Sequence, residues 1–586
     1  MTTRAELADQ LAALAEAEFE RQRAQVAALP EGAQTLLLIE GCRVADLHHV
    51  VQVMSKTPDY YLSDFEFTVM MRGWNAFLAL LLPYVGRLKG IPTQESTPEF
   101  RRVILAILMG LGSATMMREN AEMVRHGMTE CSIEDDVVTF RMSDRCAIDH
   151  YLDRLEDDKL RQLEDSMPGD SIFSKLIADN KIENLDERLR ALVFPWKPND
   201  KVTMTGYGAA PDIDQYFLAL VGEHLDDSIN DAGIHPDTRL GTITGRDLQR
   251  VVFLTMSFYL KHIEFVRVAR KHYPEINVPM SLTIWKTRDD FIESIATFTR
   301  MPEKTVSAVV DLMTVRSVHA SYFRGEVTPF VPLLIEVADN YLLSPISSIF
   351  RNPFHGIRML HEAFDSKAAT NLLAHRERWM IAELYGLFQG DRYICMQGPT
   401  RLRRNGKLVT DIDAAVLDTI SGELALFQLK WQDFNSNDVA KQRSKARNFV
   451  DKVDAWALAV EGWISEFGMD VLVQAMRMGR VSVTLPVRLF AIGRSAARFQ
   501  SYGCVSQVES LAPATWRQFM RLRHEVGPSD NVPRDLHAAI LAERTTPVKL
   551  KPVRQEVPLG NRTVVFENLW NEYEEDEPPT GEQPEA

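Results

Sequence analysis

The chain is predicted to hold several domains, with a mainly α-helical N-terminal region followed by an α/β domain. With 586 residues, of which 45% are hydrophobic, it can bury at least two separate cores. Apolar residues recur at helical spacing through the first 365 residues, whereas the clearest pair of β-prone runs lies near residues 410–432. These two patterns together predict the order of the domains.

In residues 1–365, helices are expected to follow one another with few strands between them. Helical periodicity is strongest at residues 11–28, 66–85, 100–126, 213–225, 247–269 and 306–313. A short strand is expected at 137–140, and the proline-containing stretch 329–354 is expected to be an irregular connector. The region forms one or two subdomains and shows no recognisable catalytic motif, so a regulatory or sensor role is one interpretation.

Composition predicts a soluble protein of the reducing cytoplasm. The five cysteines are scattered and lack CxxC spacing, so neither a disulfide framework nor a zinc knuckle is indicated. The longest apolar run, at 103–117, is shorter than the ~20 residues that a membrane span needs. Residues 1–25 have the pattern of an amphipathic helix rather than of a signal peptide. We therefore expect no membrane partner.

The residues with the clearest chemical meaning lie on two predicted strands, at 410–418 and 425–432, with a turn signal at 418–422. Side chains alternate along a strand, so each strand should place its polar groups on one face and its apolar groups on the other. The groups expected to share a polar face are Asp411 and Asp413 on the first strand, and Gln428, Lys430 and Gln432 on the second. The groups expected on the apolar faces are Ile412, Ala414 and Val416, and Phe427, Leu429 and Trp431. A structural ion pair between Asp413 and Lys430 is the alternative explanation.

This pattern resembles the PD-(D/E)xK, or restriction endonuclease-like, nuclease superfamily, which has an Asp on one strand and a Glu- or Gln-x-Lys element on the next. Asp413 matches the motif aspartate, and Gln428-Leu429-Lys430 matches the Gln-x-Lys form found among Mrr-like restriction endonucleases. The resemblance covers the C-terminal part of the chain and implies an α/β domain with a mixed β-sheet at residues 366–545. Gln428 is a departure, since an amide carbonyl is a weaker metal ligand than a carboxylate.

The superfamily also places a glutamate on the helix before the sheet. The window 371–388 has an apolar stripe at helical spacing, and Glu377 lies inside this stripe. Glu383 falls on the flank of the stripe, where it reaches water more easily. We therefore assign Glu377 to the site, with an ion pair to Arg376 or Arg378 as the alternative.

The resemblance implies metal-dependent hydrolysis of phosphodiester bonds. Asp413 would bind the metal ion, Glu377 or Asp411 would share it, and Gln428 would lend its carbonyl oxygen. Lys430 would orient the attacking water or stabilise charge on the phosphate. Magnesium is the expected ion because it favours hard oxygen ligands and retained waters, and manganese is a substitute.

Two basic clusters flank the candidate site in sequence. The first cluster consists of Arg401, Arg403, Arg404 and Lys407, and the second of Lys441, Arg443, Lys445 and Arg447. The chain as a whole is acidic, with a formal net charge of -15, yet residues 391–450 carry ten Lys/Arg against seven Asp/Glu. We therefore expect both clusters to contact the phosphate backbone of a nucleic acid. The resemblance favours DNA over RNA, and the sequence itself leaves both open. A solvated surface is the alternative for either cluster alone.

Two functions stay open at this point. One is an endonuclease in bacterial antiviral defence or DNA processing. The other is a degenerate nuclease fold that serves as an interaction module for nucleic acid or protein. The helical region is available to a regulatory protein partner or to homo-oligomerisation. Residues 546–573 are predicted to form a C-terminal β-hairpin extension, and residues 574–586 a disordered acidic tail.

Overall fold

The computed structural model of this chain describes residues 3–52, 60–86, 88–91, 94–149, 152, 156, 159, 182–325, 329–431, 439–478, 487–545 and 551–572. Its first 365 residues are mainly helical, and a helix is present at each of the six predicted segments. The helices of this region are α1 (Arg4–Ala27), α2 (Ala33–Val50), α3 (Asp64–Leu81), α4 (Pro98–Arg125), α5 (Leu185–Leu192), α6 (Pro211–Ala232), α7 (Gly245–His272), α8 (Val278–Leu282), α9 (Arg288–Thr299), α10 (Glu303–Met313), α11 (Ala320–Gly325) and α12 (Pro353–Phe364). Thr3, Ser63 and Thr244 begin α1, α3 and α7 with capping boxes, which satisfy N–H groups that have no partner within the helix.

Two helical segments, Asp64–Tyr84 and Pro98–Arg125, are long and apolar enough to cross a membrane by length and composition. In the structure the two segments pack against each other. The most apolar 18-residue stretch is 67% buried in the first segment and 50% buried in the second. Their backbones come so close that a Cβ on Gly112 would lie 1.9 Å from the carbonyl oxygen of Val69. Such packing is typical of core helices in soluble proteins.

Residues 1–365 hold more β-structure than predicted. The strands are β1 (Thr129–Glu134), β2 (Val137–Met142), β3 (Val193–Asn199), β4 (Val202–Tyr207), β5 (Arg239–Leu240), β6 (Ile243–Thr244), β7 (Ile284–Thr287), β8 (Thr314–Val315), β9 (Leu334–Ala338) and β10 (Tyr341–Ser344). The predicted strand at 137–140 is part of β2. The expected irregular connector at 329–354 is wrong, because β9 and β10 form the centre of a four-stranded sheet in the order β7-β10-β9-β8. Asn340, with a left-handed φ of 56°, makes the turn between these two buried apolar runs.

After α12 the chain forms an α/β region. Its elements are α13 (Ser366–Gly386), β11 (Tyr393–Cys395), β12 (Thr400–Arg404), β13 (Lys407–Ile412), β14 (Ala414–Asp418), β15 (Leu424–Lys430), α14 (Val439–Phe467), α15 (Met469–Ala475), β16 (Val487–Gly493), β17 (Leu511–Thr515), α16 (Trp516–Val526) and α17 (Val532–Thr545). Five strands make a mixed sheet in the order β11-β14-β15-β16-β17. The pairings of β14 with β11 and β15 are antiparallel, whereas those of β16 with β15 and β17 are parallel.

The mixed sheet lies between two apolar layers. One layer is α14, whose buried residues include Ala446, Phe449, Val453, Trp456 and Val460, as the periodicity of the sequence predicts. They pack with Ala415, Leu417 and Leu426 of the sheet. On the opposite face, α13, α16 and α17 pack against Ala414, Val416 and Phe427. Helices on both faces bury the central strands and leave the strand ends as the place where polar groups can gather.

The last described residues form a hairpin of β18 (Lys551–Leu559) and β19 (Arg562–Glu572), with Gly560 at the turn. This hairpin does not join the mixed sheet. Strand β19 pairs in parallel with β2, and the resulting sheet has the order β1-β2-β19-β18. The C-terminal hairpin therefore packs with the N-terminal region, a partner that the sequence did not predict. The predicted acidic tail at 574–586 lies outside the described residues.

Candidate active site at the edge of the mixed sheet

Asp413 lies in a bend between β13 and β14, at the edge of the mixed sheet where β15 ends. The pairing of Ala414 with Phe427 places Asp413 opposite Gln428. The backbone N–H of Leu429 donates to Asp413 Oδ2 at 2.8 Å, and the Gln428 side-chain amide donates to the same oxygen. The structure thus brings together the aspartate and the glutamine that the sequence pattern singled out.

The bend at Asp413 changes which side chains share a face. Ile412 was predicted to share a face with Ala414 and Val416, and this prediction is wrong. Ile412 packs with Ala415 on the α14 side of the sheet, whereas Ala414 and Val416 face the opposite layer. Alternation of side chains holds only along a continuous strand, and the bend interrupts the strand at Asp413.

On β15 the predicted alternation is confirmed. Phe427 and Leu429 belong to one buried cluster, and Trp431 packs against it. Gln428 is 3% exposed and Lys430 is half-buried, so the polar groups of this strand are largely covered by the rest of the protein. Gln432 lies outside the described residues.

Asp413 is 5% exposed, and its burial raises the pKa of the carboxyl to about 6. The N–H of Leu429 and the ammonium group of Lys430 lower this pKa, but they do not outweigh burial. The carboxylates of Asp411 and Glu377 raise it further. Three acidic groups and one lysine therefore lie close enough to influence one another.

A second buried aspartate on the same strand shows the opposite behaviour. Asp418 is fully buried at the far end of β14, where burial alone would raise the pKa of its carboxyl. Arg392 pairs with it through two hydrogen bonds, of 2.8 and 2.6 Å, and the pKa of Asp418 is lowered as a result. Asp418 and Arg392 thus form a complete ion pair. Asp413 has no such partner, since Lys430 forms no ion pair with any carboxylate in the described part of the chain.

Asp411 and Glu377 are both exposed, although they act on Asp413. For Glu377 this contradicts the expectation of a place inside an apolar stripe. Met380 and Leu384 of α13 belong to a buried cluster, whereas Glu377, one turn before Met380, is exposed. Among the described residues Glu377 forms no ion pair, and the alternative pairing with Arg376 or Arg378 is absent; Arg376 instead lies 3.7 Å from Glu362.

Sequence reasoning missed Arg494, which follows β16 directly. Its N–H donates to the carbonyl of Lys430 at 2.9 Å, and its side chain, 5% exposed as a residue, forms an ion pair with Glu383. The guanidinium carbon lies 5.0 Å from the centre of the Trp431 ring. The carboxyl ends of parallel strands meet at one edge of a sheet, so the position of Arg494 after a strand parallel to β15 was the available signal.

The first basic cluster lies on the β12–β13 hairpin. Arg401 lies opposite Asp411 in the register of the two strands. Arg404 forms an ion pair with Glu466 of α14. The indole N–H groups of Trp456 and Trp463 donate to the carbonyls of Asp411 (2.7 Å) and Arg403 (3.1 Å). The hairpin is therefore fixed along the second half of α14.

The second basic cluster lies on the first turns of α14. Residues four apart share a helix face, so Lys441 and Lys445 form one pair and Arg443 and Arg447 another on nearly the opposite side. Arg443 is half-buried, and its Nη1 lies 3.2 Å from Nδ1 of His126. The four residues thus do not present one surface, and only part of the cluster can face the same strand of nucleic acid as the hairpin.

A divalent cation fits the charge of the site. Three carboxylates and one ammonium leave an excess of about two negative charges, and the donors are the oxygens that Mg²⁺ prefers. Asp413, Gln428 and either Asp411 or Glu377 would hold the ion. In the described part of the chain, no three carboxylate, histidine or cysteine groups already converge as a complete set of ligands. The Gln428 amide would also have to turn its oxygen toward the ion in place of the N–H that now bonds Asp413.

Comparison with known proteins adds no further constraint. The chain matches no protein-family model, no curated protein and no solved structure. The likeness to PD-(D/E)xK nucleases therefore rests on Asp413, Gln428 and Lys430 and on the strands that carry them.

Proposed function

We propose that this chain is a metal-dependent nuclease that hydrolyses phosphodiester bonds of nucleic acid, with DNA as the expected substrate and magnesium or manganese as the ion. The observation that carries the proposal is the buried carboxylate of Asp413, which lies opposite Gln428 and forms no ion pair within the described residues. A carboxylate kept for stability alone would be paired as Asp418 is with Arg392. A buried, incompletely balanced carboxylate beside two further acids is instead typical of a site that takes up a cation.

Each residue has a role that follows from its position. Asp413, held by the N–H of Leu429, is fixed in orientation and can bind the ion through its second oxygen. Lys430 has no carboxylate partner in the described structure, so its ammonium group can contact a phosphate oxygen or the attacking water. Glu377 is exposed at the entrance and can accept a proton from that water or share the ion. When bound, the ion would activate water and stabilise charge on the phosphate.

Cleavage assays with the full chain test this proposal. Supercoiled plasmid and single-stranded RNA are incubated with magnesium, manganese or a chelator, and products are resolved on gels. Metal-dependent cleavage that is lost in Asp413→Asn and in Lys430→Met would support the site. Asp451→Asn and Lys452→Met serve as matched controls, because both residues are exposed on α14 and neither belongs to the candidate site or to the two basic clusters. Equal cleavage by the site variants and the parent would refute it.

A second function is favoured by the hydrogen bond from the Gln428 amide to Asp413. This bond satisfies part of the carboxylate without a metal ion, as expected of a nuclease fold that only binds. In that case no metal would produce cleavage, while nucleic-acid binding would remain and would weaken with salt. The same assays, followed by binding curves at several salt concentrations, separate the two functions.

A further inference from the structure

A cavity of about 500 Å³ lies between the helical region and the α/β region, away from the sheet edge described above. Four segments build its wall. They are the end of α4 with the following residues (His126, Gly127, Met128), the segment after β2 (Ser143, Asp144, Arg145), the second turn of α14 (Arg443) and the turn Ser501, Tyr502 and Gly503. A cavity of this size matches the lower range of small-molecule sites.

Contacts among these segments hold the cavity in shape. The N–H of Ser501 donates to Asp149 Oδ2 at 2.7 Å, and the N–H of Ser143 donates to Met128 O at 3.0 Å. The hydroxyl group of Tyr502 donates to Gln442, which neighbours Arg443 on α14. The wall therefore joins residues far apart in sequence through direct hydrogen bonds rather than through loose loops.

The charges in the cavity are not balanced. Arg145 and Arg443 line it, and in the described part of the chain neither forms an ion pair with a carboxylate, although Asp144 lines the same space. Arg443 is half-buried, and its hydrogen bond within the described residues joins its Nη1 to Nδ1 of His126, 3.2 Å away, which is not a counter-charge. A partly buried guanidinium without a counter-charge is costly, so this cavity favours the binding of an anion.

A third guanidinium lies next to the cavity. Gly127 has a left-handed φ of 71°, and a Cβ added to it would lie 2.7 Å from Nη1 of Arg4. The guanidinium group of Arg4 thus packs closely against Gly127, which lines the cavity. The three guanidinium groups of Arg4, Arg145 and Arg443 exceed the two nearby carboxylates, Asp144 in the cavity lining and Asp149, which accepts from Ser501 N–H.

We propose that this cavity binds the phosphate group of a nucleoside phosphate. Arginine presents a planar set of donors that matches phosphate oxygens in pairs, and two arginines that line one cavity can both bind the same phosphate. The cavity is larger than a single phosphate, and Asp144 and Ser143 offer an acceptor and a hydroxyl group for a sugar. The phosphate comes either from a free nucleotide or from the backbone of a bound strand. This proposal does not depend on cleavage at Asp413.

The test measures binding with the full-length chain in the presence of a chelator, so that the result is independent of nuclease activity. The ligands are adenosine monophosphate, inorganic phosphate, adenosine and a short single-stranded oligonucleotide. The variants are Arg443→Gln and Arg145→Gln; because Arg145 is exposed, its replacement leaves the packing intact if that of Arg443 does not. Arg141→Gln is the matched control, since Arg141 is an exposed arginine on β2, two residues before Ser143, and does not line the cavity.

We expect adenosine monophosphate and inorganic phosphate to compete for one site, adenosine not to bind, and each of the two variants to weaken binding about tenfold. The control should bind as the parent does. If only the oligonucleotide binds, and the two cavity variants weaken it more than the control does, the phosphate belongs to the strand. Adenosine binding as tightly as its monophosphate, or unchanged binding of every phosphate ligand in both variants, would overturn the proposal.

Discussion

Replacing Asp413 by asparagine should stabilise the protein and inactivate it at the same time. The substitution keeps the shape of the side chain and an oxygen that can accept from Leu429 N–H, but it removes the charge. Burial raises the pKa of Asp413 from an ordinary 3.8 to about 6, so the native protein holds this proton more tightly than the unfolded chain does. Ionisation of Asp413 is therefore a cost to the folded state.

The size of the effect follows from the pKa. A change of one pKa unit corresponds to about 1.4 kcal/mol, so the parent should lose up to about 3 kcal/mol of stability as the pH rises from about 4 to about 6. This cost stays constant above pH 6 and is absent below pH 4, where the carboxyl is protonated in both states. The Asp413→Asn variant should therefore be more stable than the parent by up to that amount at pH 8 and equal to it below pH 4.

Hydrogen exchange of peptides from β14 and β15 is the suitable assay, because several domains prevent a single global unfolding energy from being defined. Asp46 is also buried, and burial also raises the pKa of its carboxyl to about 6, but it is present in both proteins and cancels in their difference. Magnesium at a hundred times its Kd should add about 2.7 kcal/mol to the parent alone. A variant less stable than the parent at pH 8 without metal would refute the reasoning and favour a structural pairing of Asp413 with Lys430.

Four further outcomes are expected. Lys430→Met should slow plasmid cleavage by about a hundredfold or more while leaving the Kd for DNA within a few-fold, as gel and filter-binding assays would show; a slower rate explained wholly by weaker binding would contradict this role. Gln428→Glu should tighten manganese binding in calorimetry, because a carboxylate adds charge to a hard-cation site, and weaker binding would count against it. Neutralising Lys441 and Lys445 together should reduce the slope of log K against log salt by about 2 if both contact phosphates, and an unchanged slope would show that they do not. Gly233→Ala should reduce activity, because Gly233 has a left-handed φ of 68° and an added Cβ would lie 2.7 Å from the indole ring of Trp431, which follows β15. Full activity would show that this contact with the helical region is dispensable.

Periodicity predicted the helices and the faces that they bury, because a regular repeat determines which side chains point inward. It also predicted β15, whose residues alternate without interruption. The face of Ile412 was wrong because one bend at Asp413 reverses the alternation, and a bend of this kind leaves no periodic signal. The position of Glu377 could not be predicted either: its spacing fits the apolar stripe of α13, but the residue is exposed, because burial also depends on which other elements pack against the helix.

Contacts between distant parts of the chain could not be predicted from local pattern. Arg494 reaches Lys430 only because β16 lies beside β15 in parallel, and the sheet order sets this neighbour. The cavity at Arg443 depends on the approach of α4 to α14, two helices separated by some three hundred positions in sequence. In both cases the sequence shows that the residue is charged, but it does not show which distant residue it contacts.

The pairing of β19 with β2 also sets the order in which the molecule can be completed. Arg562 contacts Asp135 across 427 positions of sequence, at 3.2 Å. At about 5–20 residues per second, a ribosome needs roughly 20–90 seconds to make the chain between these partners. The mixed sheet can form on the growing chain during this interval, while the edge of β2 stays unpaired and open to association with other chains. A prematurely terminated product would keep that edge exposed, so loss of the last strand would mark incomplete molecules for aggregation or proteolysis.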